Sequence, residues 1–155
     1  MIEKIAKDFT DYAQEVLLPL EGFGVGDEKK VLFSHQFCAG QRRNIYSHTK
    51  SFMVSAVGKA ISQGLLSLED RLADFFPESL PDKAPEALYE IRLKHLLTMS
   101  SGFGKPYLMG DDRRAGTGMP DYMAYMLSRP VKNEPGSTFV YSTADSILAG
   151  RMVEK

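Results

Sequence analysis

The 155-residue chain contains one cysteine, Cys38, so no internal disulfide can hold it together. A lone thiol fits a reducing compartment, and between Phe37 and Ala39 it reads as a small buried or edge residue rather than a reactive one. Three histidines, His35, His48 and His95, lack the spacing of metal ligands, and no metal site or cofactor is expected. Neither sign of charge dominates: 19 Lys and Arg stand against 20 Asp and Glu, a net charge of −1. With no basic stripe and no acidic tail, nucleic acid is excluded as an expected partner. No apolar run approaches the roughly 20 residues that span a bilayer. The opening "MIEKIAKDFTDYAQEVLLPL" mixes charges among its apolar residues and offers no cleavage site, so it reads as a mature helix rather than a signal peptide. The expectation is therefore no membrane partner and a cytoplasmic location. Internal repeats and low-complexity tracts are also lacking.

What is present is the composition of one globular domain, 43% apolar and 25% charged. Ile2, Ile5, Phe9, Tyr12, Ala13 and Val16 recur at helical spacing, which predicts a helix ended by Pro19. "EGFGVGDEKK" has the wrong glycine spacing and context for a phosphate loop, and reads as a flexible connection or a hairpin before the strand-like "KVLFSHQF". A helix is predicted from Ser47 to about Gln63, with Phe52, Met53, Ala56, Val57, Ala60 and Ile61 on one face and Gly64 as its left-handed cap. Ser67 and Asp70 open a short helix through Phe75. A loop over 78–90 leads to a helix bearing Leu93, Leu96 and Leu97, ended by Gly102. Residues 104–118 read as a long surface excursion. A helix over Asp121 to Ser128 follows, then an "EPGS" turn, a short extended "TFVY", and a last helix capped by Ser142 with Asp145. The fold class is α+β and mostly helical, with one clear strand and a candidate second.

The chemistry-bearing candidate is Ser47 with Lys50, three residues on and hence on the same helix face. A helix N-terminus offers free N–H groups and a partial positive charge, so Ser47 could use its own amide as an oxyanion donor. Lys50 could serve as base only if its pKa fell by roughly 3 units from about 10.4, about 4 kcal/mol, through burial and nearby positive dipoles. The competing reading is a serine N-cap with a solvated lysine. A chain of this length carries about one S-x-x-K by chance, so the spacing alone does not choose.

The wider pattern does. "IYSHTKSFMVSAVGKAISQGLLSLEDRLADFFPE", "IRLKHLLTMSSGF" and "EPGSTFVYSTADSILAGRMVE" together resemble the serine β-lactamase and penicillin-binding-protein-like superfamily, in particular its class C and esterase-like branch. The three segments fall in the family's order and cover most of residues 44–154. The resemblance implies the N-terminal portion of a β-lactamase/transpeptidase-like fold. One partial domain over 1–155 would hold an N-terminal helix and strand (1–46), a nucleophile helix (47–64) and a helical subdomain (65–155). It also implies a serine hydrolase working through an acyl-enzyme on a β-lactam, ester or peptide. Ser47 would be the acylated nucleophile, Lys50 its activating partner, and Tyr141 the group that shuttles a proton between nucleophile and leaving group. Thr143 would stand at the substrate-binding position.

Two departures qualify this expectation. Thr143 replaces the family's usual Asn, and a hydroxyl cannot offer an amide the same donor and acceptor pair, which shifts weight from β-lactam amides towards other acyl substrates. No K-T-G or H-x-G tripeptide occurs, although the family's third motif also brings a second oxyanion donor, whose loss costs about 100- to 1000-fold. The implied expectation is a truncated hydrolase, most of its antiparallel sheet missing and its last helix still in register at Lys155. Its partner would be the absent half as a separate chain, or a second copy of itself. The alternatives are a non-catalytic helical binding module and one half of a split enzyme.

Overall fold

The computed structural model describes residues 1–155, and backbone contacts divide them into two units, Met1–Asn44 and Ile45–Lys155. In the first, helix α1 (Ile2–Glu15) packs against strand β2 (Val31–Gln36), which pairs antiparallel with β1 (Gly22–Gly26). The glycine-rich stretch is thus one arm of a hairpin, with Phe23 opposite His35 and Val25 opposite Phe33. Its turn is held by Asp27, whose carboxylate accepts from the N–H groups of Lys29 (2.8 Å) and Lys30 (2.9 Å).

Helix α1 does not bury the stripe its spacing predicts. Ala6, Thr10 and Ala13 are the buried residues, while Ile5 and Tyr12 are 60% and 55% exposed. Small side chains are what allow close approach to another backbone, and the larger ones remain to either side. Phe9 reaches across to the hairpin, meeting Phe23 edge-on at 4.8 Å. Cys38 lies exposed beyond β2 rather than buried.

The second unit is helical. A 3₁₀ turn (Tyr46–His48) leads into α2 (Thr49–Ser62), so Ser47 precedes the α-helix instead of opening it. Gly64 takes the left-handed conformation (φ 72°) expected of a C-terminal cap. Short helices α3 (Leu72–Phe75), α4 (Glu86–Tyr89) and α5 (Leu93–Leu97) follow, with α3 and α5 opening either side of an isolated bridge between Arg71 and Arg92. Then come α6 (Gly110–Arg114), α7 (Tyr122–Leu127) and α8 (Thr143–Glu154). Asp121 caps α7, its carboxylate accepting from Met123 N–H at 2.9 Å and Ala124 N–H at 3.1 Å.

Helix α8 is the centre of the packing, against α2 on one side and α5 on another. Its Ala144, Leu148, Ala149 and Met152 are buried with Val57 of α2 and Leu93 and Leu96 of α5. Each fully buried leucine of this core contributes about 1.5–3 kcal/mol relative to exposure. The 104–118 stretch is less of an excursion than its glycines and charges suggest. Tyr107 and Leu108 enter the core at 6% and 0% exposure, and Gly110–Arg114 form α6. An aromatic and a leucine amid polar residues were enough to anchor it.

Candidate active site

Ser47 is presented by the 3₁₀ turn, whose His48 N–H donates to Ile45 C=O at 3.0 Å. Tyr46, immediately before it, has φ 45°, a left-handed conformation that is costly for a bulky residue and is held by the structure around it. Lys50, three residues on and half-buried, is the second residue of α2.

Tyr141 arrives from the other end of the unit, just before α8. Its hydroxyl lies 2.8 Å from Ser47 Oγ, a hydrogen bond across 94 positions of sequence. Lys50 Nζ stands 5.1 Å from the centroid of the Tyr141 ring, within cation–π range. The hydrogen bond with Ser47, and then the one with Lys50, hold the Tyr141 phenol below its ordinary value of 10.0; burial opposes them, and the Lys50 charge adds a smaller lowering. Ser47 does not cap α2, since its hydroxyl engages Tyr141, and the flanking His48 at the cap position makes no side-chain cap bond either. The structure thus brings Ser47, Lys50 and Tyr141 together. Chemically, the three form a hydroxyl, a phenol whose pKa is lowered, and a lysine amine beside the phenol.

Thr143 is placed differently. Its hydroxyl donates to the Met109 thioether at 3.5 Å, so the position resembling a substrate-amide binder faces the loop between Phe103 and α6. Ser142 and Asp145 are not a capping pair. Ser142 Oγ accepts from Tyr107 N–H at 3.1 Å and donates to Tyr107 C=O at 3.2 Å. Asp145, 1% exposed, accepts from Ser101 Oγ at 2.9 Å, and its second oxygen has no partner. Burial pushes its carboxyl up to about 7, against the lowering effect of the Ser101 hydrogen bonds. Tyr107 was missed in the sequence. The one available signal was an aromatic–Leu pair inside a glycine-rich stretch. No group of three or more His, Cys, Asp and Glu side chains gathers as a metal site, and no helix is long and apolar enough to cross a membrane.

Residues 23–155 match the family model described as Beta-lactamase. The chain belongs to the Beta-lactamase family. Solved structures agree on the fold of this family member. It superposes on the octameric penicillin-binding protein homologue from Pyrococcus abyssi with a TM-score of 0.67 at 24% identity, covering 99% of this chain and 39% of that one. With the putative beta-lactamase from Bacteroides dorei DSM 17855 the TM-score is 0.65 at 22% identity, covering 99% of this chain and 46% of the other. The fold is thus a partial β-lactamase/penicillin-binding-protein-like fold, mostly helical with a two-stranded sheet. The chain spans less than half the length of either structure. Among curated proteins, none matches it in sequence.

Proposed function

We propose that this family member is a serine hydrolase module in which Ser47 forms an acyl-enzyme with an ester, amide or β-lactam carbonyl. The observation that carries the reading is the 2.8 Å contact between Ser47 Oγ and Tyr141 Oη. As Oγ attacks the acyl carbon, its proton passes to the Tyr141 oxygen, while the Lys50 ammonium stabilises the phenolate before that transfer. Collapse of the tetrahedral adduct breaks the bond from carbon to the leaving group, which takes the proton from Tyr141. Water then attacks the acyl-Ser47 ester, giving up a proton through the same phenol, and the acid departs with Ser47 restored. In this scheme Lys50 acts as a cation beside the phenol, and the phenol moves the proton.

The replacement of an amide-binding Asn by Thr143, and the contact of Thr143 with Met109, favour an acyl group without an amide to be recognised there. The chain spans 39% and 46% of its structural neighbours, so the test reads acylation rather than turnover. A fluorophosphonate probe should label the chain at Ser47, with Ser47→Ala abolishing the signal. Labelling that persists in Ser47→Ala would refute the reading. A second reading, a binding module, is favoured by the exposure of Phe52 and Leu65, at 69% and 71%.

A further inference from the structure

We infer that Ser142 is a positioning residue, whose hydroxyl fastens the residue after Tyr141 to the backbone of Tyr107 and so keeps the phenol against Ser47. The inference rests on the proposed proton transfer through Tyr141 and adds the part that holds that group in place. Ser142 is 4% exposed and occupies the N-cap position of α8, yet it makes no cap bond to the helix. Both capacities of its hydroxyl are engaged elsewhere: it accepts from Tyr107 N–H at 3.1 Å and donates to Tyr107 C=O at 3.2 Å. A hydroxyl can do both at once, whereas a methyl group can do neither. The Ala144 N–H donates to the same Tyr107 carbonyl at 3.1 Å, so two groups of the α8 entry converge on one peptide.

That peptide is itself anchored in the core. The Tyr107 ring meets Phe103 edge-on at 6.2 Å and Tyr125 at 6.4 Å, and Leu108 after it is fully buried with φ 53°. On the other side of Tyr141, Val140 N–H donates to Met99 C=O at 2.8 Å. Tyr141 is therefore bracketed by two tethers to core-anchored backbone, while its own side chain is 41% exposed. A phenol oxygen sits at the far end of its side chain, so a small rotation of the backbone at 141–142 displaces it from hydrogen-bond reach of Ser47. A misplacement of about 1 Å in a reacting pair can cost on the order of 100-fold in rate. An ordinary structural serine would affect folding and nothing at Tyr141. The clamp makes the state of the phenol depend on residue 142.

The test is to label the chain with [ζ-13C]tyrosine, assign Tyr141 by its loss in Tyr141→Phe, and titrate its resonance. In the parent, the midpoint should lie below that of ordinary tyrosine. Ser142→Ala should return it to the ordinary value and slow fluorophosphonate labelling of Ser47 about 100-fold. Ser142→Thr, which keeps the hydroxyl, should retain the low midpoint. If the alanine variant does not fold, Ser142→Thr against Ser142→Val compares a hydroxyl with a methyl group of the same shape. A folded Ser142→Ala, or Ser142→Val, with the parent midpoint overturns the clamp. A midpoint that moves while no form of the chain labels leaves the clamp standing and removes the acyl-enzyme reading. Labelling of the parent with an unmoved midpoint does the reverse.

Discussion

Replacing Asp145 by asparagine should make this protein more stable above neutral pH and flatten its stability over a defined window. The carboxyl lies at 1% exposure, with Ser101 donating to one oxygen and nothing to the other. Burial raises its pKa from 3.8 to about 7. A carboxyl whose folded pKa is raised contributes stability that is present in full below pH 3.8 and is lost as pH rises through about 7. Between those values the folded state keeps a proton that the unfolded state has released, so stability falls with rising pH by about 1.4 kcal/mol per unit. Above the window the loss levels off, having reached on the order of 4 kcal/mol, a large share of the 5–15 kcal/mol typical of a domain. The assay is urea unfolding of parent and Asp145→Asn at each pH unit from 4 to 8, with the difference in free energy plotted against pH. Other carboxylates titrate alike in both proteins and drop out of the difference. The curves should converge near pH 4 and separate towards pH 7, with the asparagine variant the more stable on the alkaline side. Parallel curves would refute the argument, because they would mean that Asp145 titrates like a solvated carboxyl.

Other expectations follow from single contacts. Tyr141→Phe removes the hydroxyl 2.8 Å from Ser47 Oγ and should slow fluorophosphonate labelling by about 100-fold or more. In the parent, the labelling rate should rise with pH to a midpoint below that of ordinary tyrosine, since the phenolate is the active form and its pKa is lowered. Gly102→Ala should destabilise strongly, by more than about 1–3 kcal/mol in chemical denaturation, because φ is 93° there and an added Cβ would collide with the Asn133 carbonyl oxygen. Asp121→Ala should cost about 1 kcal/mol, read as a lower urea midpoint, by removing the acceptor of two N–H groups at the start of α7.

The parts legible in the sequence are those set by short range. Ser47 and Lys50 are neighbours through backbone spacing alone, Gly64 ends α2 through its own freedom to take positive φ, and Asp121 caps α7 from the adjacent position. Local steric and hydrogen-bonding rules act within a few residues, so the chain order carries them directly. For the same reason the order of the helices and the S-x-x-K turn were readable together with the family resemblance.

What only tertiary structure decided is the choice among partners that local rules leave equal. Ser142 and Asp145 have the residue types of a helix cap, yet Tyr107 and Ser101 claim them, because folding brings those groups within reach across 35 and 44 positions. Helix α1 carries a large apolar stripe and a small one, and the approach of a hairpin selected the small one. The pairing of Ser47 with Tyr141 is of the same kind. Either hydroxyl could bond to water or to its own backbone, and it is the packing of α8 against α2 that brings the two oxygens to 2.8 Å. A side chain's chemistry is written at its position, but its partner is determined by which distant surfaces the core draws together.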